Sequence, residues 1–474
     1  MKKKVIIQII SILAVLSIGG LSAILIINNL LPTKFQVGII GTLLLILILG
    51  VFLSTRKSKA SQVIGIVLKI LLIILTSISS YYLYTTISSI DNISTSNKPS
   101  EIKNELSVVK LKSTDLKEIV AERKLELDIT ESEDKQRVQE LLEELKKVTD
   151  ENFTEKNVNS YISAADNLVL EKSDLMVLNE AFRPMINEHI LEFDDITEVV
   201  TSKTFSELAN TKTKDEVGST FNVYVSGIDT FGPIQTVSRS DVNLILSVNQ
   251  ETRKILITTI PRDTYLPIAE GGNDQMDKLT HAGVYGVQSS IKTLENFLDI
   301  DIDYYVKVNF NTLIDIVNLL DGIDVENPQE FTTNGLNFPK GKIHLDGKKA
   351  LVFSRERYTL QDGDRDRGRN QERVLKAMIE KGTRPENLLK ANGVLNILEK
   401  GAETNLSKAQ MIEMVNREFD SSTRYKIDTQ DLKGTGKIGL PSYAMPGFEL
   451  YMMVPDETSL SEVKEMIKEN QKVN

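Results

Sequence analysis

The chain has 474 residues and a formal net charge of −10, with no cysteine, no tryptophan and three histidines. Its length points to two or three folded units, and the missing cysteine excludes a disulfide framework, thiolate catalysis and cysteine-ligated metal centres. His189, His281 and His344 are too widely spaced to suggest a multi-histidine metal site, and the acidic total argues against a nucleic-acid partner.

That charge is unevenly spread. Residues 1–95 carry eight Lys or Arg against the single acid Asp91, a net +7, which leaves −17 for the remainder. Three apolar runs fill this basic head, at 5–31, 36–54 and 62–86. Each is close to or above the ~20 residues a helix needs to cross a bilayer. The first run is too long for a signal peptide and two more follow it, so three transmembrane helices are expected. Lys2, Lys3 and Lys4 precede the first run, and Arg56, Lys57 and Lys59 join the second to the third. The intervening link has only Lys34. The positive-inside rule then puts the N-terminus and the second link in the cytoplasm and the long body outside the cell. Lys69 is expected to snorkel from the inner end of the third span, with Tyr81, Tyr82 and Tyr84 at the outer interface.

Residues 91–100 are polar and read as a linker. An α+β accessory domain is expected over 96–216. Val138, Leu141, Leu142 and Leu145 mark a helix within 132–148, 159–170 and 172–182 also look helical, and 108–111 reads as a strand. Its charges form a solvated face without a site-like cluster.

From Thr220 the texture changes. Residues 221–227, 241–248 and 255–260 read as strands. If they are neighbours with the middle one antiparallel, Asp229, Asp241 and Arg262 all reach one edge of the sheet. Two carboxylates and a guanidinium suit a hard divalent cation beside a phosphate. Further helices are expected at 282–298 and 311–320, a strand at 304–310, and the end of another helix at 349–353. Arg355, Arg357, Arg365, Arg367, Arg369 and Arg373 then cluster in an otherwise acidic body. On a helix, Arg367 and Gln371 share one face and Arg369 and Arg373 a roughly opposite one. The plain alternative is a surface helix whose arginines pair with Glu356, Asp362, Asp364, Asp366 and Glu372. With both charged clusters in one domain, pyrophosphate binding is favoured, because guanidinium forks match phosphate oxygens.

Six segments carry a resemblance. Gly227-Ile-Asp229, Arg239-Ser-Asp241, Ile260-Pro-Arg-Asp263, Asp277-Lys-Leu-Thr-His-Ala282, Ser354-Arg-Glu-Arg-Tyr358 and Asp366-Arg-Gly-Arg-Asn-Gln371 occur in the order of the LytR-CpsA-Psr family. The three-span head and accessory domain resemble its streptococcal, capsule-associated CpsA branch. Asp321-Gly322 departs from the paired glycines common in the family. The resemblance implies an α/β/α domain with a mixed central sheet over 217–474, after a membrane anchor over 1–95. It also implies an apolar tunnel for a polyprenyl chain. The implied activity is transfer of a glycopolymer, here capsular polysaccharide, from a polyprenyl-pyrophosphate carrier to peptidoglycan with Mg²⁺ or Mn²⁺. Asp229 and Asp241 would then be metal ligands. Arg239, Arg262, Arg355, Arg357, Arg367 and Gln371 would hold the pyrophosphate.

Positioning and electrostatics can drive such a transfer without a Ser, Cys or His nucleophile. Asp241 or Asp263 is expected to take the acceptor's proton, a choice left open between them. His281 is read as a capping or packing residue rather than a base, and Lys278 as either part of the phosphate field or solvated. Apolar positions in 282–298 and 313–320 could line the tunnel or be plain core. Hydrolysis of the lipid pyrophosphate and a regulatory role are the alternatives.

Overall fold

A computed structural model of the chain describes residues 2–93, 101–130, 134–150, 152–208, 217–228, 237–384, 387, 390–420 and 423–473. Asp229 and most of the linker lie outside the described residues.

Three helices open the chain, α1 (Lys2–Ile27), α2 (Thr33–Thr55) and α3 (Lys59–Ile93), each long and apolar enough to cross a membrane. Ala14, Ile18, Leu21 and Leu25 pack with Leu43, Leu47 and Leu72 at their seam. Gly65 lets α3 approach α2 closely: a Cβ there would lie 2.5 Å from the Gly50 carbonyl oxygen. Lys69 departs from expectation. Instead of snorkelling, it is wholly enclosed, and Nζ donates to Ser11 Oγ at 2.8 Å and Ser54 Oγ at 3.2 Å. Ten residues into α3, about 15 Å at helical rise, the ammonium is too deep to reach water and takes hydroxyl partners instead.

The expected accessory region contains strands and helices: β1 (Glu101–Leu111), α4 (Leu116–Glu122), β2 (Leu125–Thr130), α5 (Lys135–Thr149), β3 (Phe153–Val158), α6 (Tyr161–Val169), β4 (Leu175–Asn179), α7 (Arg183–His189), α8 (Phe193–Ile196) and β5 (Thr197–Leu208). The strands form one sheet in the order β3-β2-β4-β1-β5. Val138, Leu141, Leu142 and Leu145 are buried, as the helical spacing required. Residues 172–182 are not a helix. They contain β4, which occupies the middle of the sheet with every residue buried, so its apolar run carries no period.

The third unit is built on a six-stranded mixed sheet. Its strands are β6 (Thr220–Ile228), β7 (Ser240–Asn249) and β8 (Lys254–Thr259), then β11 (Tyr304–Asn309), β16 (Ala402–Thr404) and β17 (Lys426–Asp431), after the small pair β9 (Tyr265–Ile268) and β10 (Gln275–Lys278). The order is β16-β11-β6-β7-β8-β17; β7 runs antiparallel to both neighbours, and β11 parallel to β6. Helices α9 (Leu279–Ala282), α10 (Val287–Leu298), α11 (Phe310–Leu319), α12 (Gly347–Arg355), α13 (Asp364–Gly382), α14 (Ala391–Gly401), α15 (Lys408–Asp420) and α16 (Glu457–Asn470) complete it. Short ribbons join β12 (Ile323–Asn327) to β15 (Gly341–Leu345), β13 (Phe331–Thr333) to β14 (Leu336–Phe338), and β18 (Gly434–Ile438) to β19 (Tyr451–Pro455).

Strand parity divides the sheet. Tyr224, Ile245, Leu256 and Tyr305 point to one face, where Leu294, Leu298, Val463 and Ile467 of α10 and α16 cover them. Residues of opposite parity face α11 to α15. The expected helix over 282–298 is broken at Gly286, whose φ of +101° no ordinary side chain adopts, so only α10 is continuous. Asp321 sits at φ +56°, a conformation glycine takes without strain.

The units are joined by packing. Phe182, Met185 and Ile186 of the accessory domain share one apolar core with Val237, Val284 and Met445. At the anchor, Asn92 donates to Glu399 of α14, Lys408 of α15 pairs with Asp91 at 2.9 Å, and Ser89 bonds Asn396.

Candidate active site

The strand rows facing α11 to α15 carry Val223, Val225 and Gly227 on β6, opposite Leu246, Leu244 and Val242 on β7, with Val306 and Val308 alongside on β11. These rows form one wall of a cavity of about 710 Å³. Leu313 and Ile316 of α11, Leu351 and Val352 of α12 and Leu398 of α14 line it elsewhere. Along α13 the lining changes character, from Arg367 and Gln371 near its start to Leu375, Met378 and Ile379 further on. One helix face thus runs from charge to hydrocarbon, parallel to the sheet. Gly227 is required where the strands meet the mouth, because a Cβ there would lie 2.6 Å from Val242 Cγ2.

Arg239, Asp241, Arg262, Arg355, Arg357, Arg367 and Gln371 all line this cavity. Asp241 is the second residue of β7 and Arg262 follows β8, and antiparallel pairing brings them together: Arg262 Nη1 donates to Asp241 Oδ1 at 2.5 Å. Thr280 adds a longer bond of 3.3 Å to the same oxygen. Burial pushes the Asp241 carboxyl up, but the guanidinium groups of Arg262, Arg367 and Arg239 outweigh it and hold the value down at about 2. Asp241 is therefore a fixed negative charge. Asp229 is outside the described residues.

The second cluster is positioned by buried acids. Glu356 accepts a bond from the Thr359 amide at 2.9 Å and fixes the turn bearing Arg355 and Arg357. Their guanidinium groups lie over the rings of Phe310 and Tyr358, at 4.5 and 4.6 Å. Asp366 holds the first turn of α13 through the Asp362 amide, Gln329 and Arg369. Arg369 pairs with Asp362, Asp366 and Asp431, and Arg373 with Asn370, on the other side of the helix from Arg367. The surface-pairing reading of the arginine cluster thus holds for Arg369, while Arg367 and Gln371 face the cavity.

Asp263 and Lys278 are placed differently from expectation, and His281 packs as expected. Asp263 is buried but does not line the cavity; its Oδ1 meets Lys278 Nζ at 2.5 Å. Lys278 is accordingly not solvated, and it does not line the cavity. His281 Nδ1–H donates to Asp277 Oδ1, 2.7 Å away, and Asp277 also accepts from Ser442 and the Ala444 amide, so the histidine packs. The cavity walls contain Leu313 and Ile316 but nothing from α10, which lies across the sheet. Glu188, from α7 of the accessory domain, also lines the cavity and pairs with Arg239 at 2.8 Å. No signal in the sequence marked it, because its nearest site residue is fifty positions downstream and only packing between the domains brings it there.

Known proteins resemble the chain in the same region. Over 252 residues it is 33% identical to the polyisoprenyl-teichoic acid–peptidoglycan teichoic acid transferase TagU of Bacillus licheniformis, covering 53% of this chain and 78% of that protein. The TagU of Bacillus mycoides is 40% identical over 177 residues, 37% of this chain and 58% of that one. The crystal structure of B. subtilis TagU superposes with a TM-score of 0.42 and 31% identity, over 54% of this chain and 98% of that one. Residues 192–469 match the LytR_cpsA_psr family, and since that span is more than half of the sequence, the chain belongs to this family.

Proposed function

We propose that the protein transfers a glycopolymer, capsular polysaccharide, from a polyprenyl-pyrophosphate carrier to peptidoglycan on the outer face of the membrane. The observation that carries this reading is the single cavity in which a guanidinium-lined mouth continues into an apolar channel along the sheet. A lipid pyrophosphate has that polarity. The TagU relatives, named as transferases of a polyisoprenyl-linked polymer to peptidoglycan, support the same class of reaction. The basic links of the head support an external body.

The apolar walls hold the polyprenyl chain and fix the diphosphate among Arg239, Arg262, Arg355, Arg357 and Arg367. A peptidoglycan hydroxyl, the muramyl C6 hydroxyl, attacks the polymer-bearing phosphorus. The new P–O bond forms as the bridging P–O bond breaks, and the lipid monophosphate departs with the hydroxyl proton on its former bridging oxygen. The arginines offset charge where it develops, which needs no reorganisation during the reaction. Asp241, held at about 2, is a poor proton acceptor and a good fixed charge. Among the described residues no cluster of three or more His, Cys, Asp or Glu could hold an ion. One or two carboxylates plus substrate phosphates nevertheless fit Mg²⁺ or Mn²⁺. Asp241 and Asp229 would hold it, and when bound it would neutralise phosphate charge.

The test is incubation of the detergent-solubilised chain with lipid-linked polymer, Mg²⁺ and peptidoglycan fragments. Covalent polymer–peptidoglycan product, lost in Arg367→Ala, is expected. Release of free polymer phosphate alone would favour hydrolysis instead, and no turnover at all would overturn the reading.

A further inference from the structure

Arg239 is engaged end-on by a carboxylate from another domain. Its Nη1 donates to Glu188 Oε2 at 2.9 Å and its Nη2 meets Oε1 at 2.8 Å, the two-pronged geometry with which a guanidinium also binds phosphate. The two partners differ in freedom. The Arg239 side chain is 14% exposed and held in place, whereas that of Glu188 is 58% exposed and able to turn outward. Both line the cavity. The backbone beneath Glu188 is firmly placed: Met185 and Ile186 are buried in the interdomain core, and His189 packs edge-on against Phe448 at 4.4 Å and bonds Asp166. The accessory domain thus brings a further negative charge to a mouth where Asp241 and Glu356 already stand among the arginines.

We propose that Glu188 is an internal competitor for the anion site: it occupies the fork of Arg239, and a lipid diphosphate engages that fork only by displacing it. This rests on the pyrophosphate reading given above. Displacement raises the dissociation constant of every ligand that uses Arg239, so the lipid monophosphate product is loosened along with the donor. A cavity that combines several guanidinium groups with an apolar channel would otherwise retain its product. The accessory domain thereby acquires a role in setting substrate affinity and product release, although it supplies no wall of the apolar channel.

The experiment uses the full chain in non-ionic detergent and farnesyl pyrophosphate and farnesyl monophosphate as probes, with binding followed calorimetrically. Removing a partly exposed ion pair that must break on binding gives a modest gain, so Glu188→Gln is expected to tighten both probes about three- to five-fold. In an Arg239→Ala background most of that gain should vanish, which a general effect on folding would not produce. Equal or weaker binding by Glu188→Gln would overturn the proposal and make the carboxylate an orienting group for Arg239. If the unaltered chain binds neither probe, the pyrophosphate reading itself falls and takes this proposal with it. An unchanged melting curve confirms that the variant is folded.

Discussion

The contact between Arg262 and Asp241 makes stability and turnover respond differently to the same substitutions. Both side chains are largely enclosed, 11% and 7% exposed, and meet at 2.5 Å. Arg262→Ala strands the Asp241 carboxylate in a buried place, a change that costs about 3–5 kcal/mol when nothing compensates. Arg239 and Arg367 remain as neighbouring positive charges, so the lower end, about 3 kcal/mol, is expected. Removing the stranded charge as well, in Asp241→Asn/Arg262→Ala, should recover about half of that loss, because two neutral groups tolerate burial better than one unpaired ion. Transfer follows the opposite logic. Both variants lack a cation that would stabilise the transition state, and both should lose about 10²–10³ in kcat. Urea denaturation of the full chain in detergent, beside an assay of polymer–peptidoglycan product, separates the two effects. If the double variant is no more stable than Arg262→Ala, the buried-pair reasoning fails.

Further outcomes follow from other contacts. Asp277 is buried, which raises its carboxyl, but His281, Ser442 and the Ala444 amide more than offset this and hold it below 3.8. Its contribution is therefore present above the ordinary carboxylate value and lost as pH falls below 3.8 through the folded value. Asp277→Asn should lower the melting temperature at pH 7, with the difference from the unaltered chain shrinking in strong acid. Gly227→Val should cost about 1–3 kcal/mol in urea and narrow the mouth, weakening farnesyl pyrophosphate binding. Met378→Trp should fill the channel, leaving the fold intact while lipid-linked donor no longer turns over; unchanged turnover would remove the channel from the donor path. In the anchor, Lys69→Met should be neutral or stabilising. Ser11→Ala/Ser54→Ala, which leaves the ammonium without those hydroxyls, should destabilise the helix bundle by about 1–3 kcal/mol in detergent denaturation.

Much of the site is legible in the sequence because it depends on short-range rules. Alternation in 221–227 and 241–248, with a short turn to 255–260, is enough to pair β6, β7 and β8 and to carry Asp241 to Arg262. The four-residue spacing of Arg367 and Gln371 likewise separates them from Arg369. What was not legible depended on long-range packing. Leu175 to Leu178 are apolar on both sides of the chain, so a central strand looked like helix. Whether α10 or α11 faced the channel depended on which parity of β6 the helices covered, and that parity is invisible without the sheet. Lys69, Lys278 and Glu188 are each defined by a partner from a distant element: Ser11 on another helix, Asp263 in a loop, Arg239 in another domain.

The bonds from Ser89, Asp91 and Asn92 to α14 and α15 also have a kinetic meaning. A body hung on a loose tether would tumble about every axis and present its mouth to the membrane only part of the time. Here the third helix grips the body directly, and the body turns with its anchor. For the lipid-linked donor proposed above, orientational search in a shared bilayer would then be reduced to rotation about the membrane normal. Encounter becomes a problem of lateral diffusion in the plane, with the angle of approach already set by the fold.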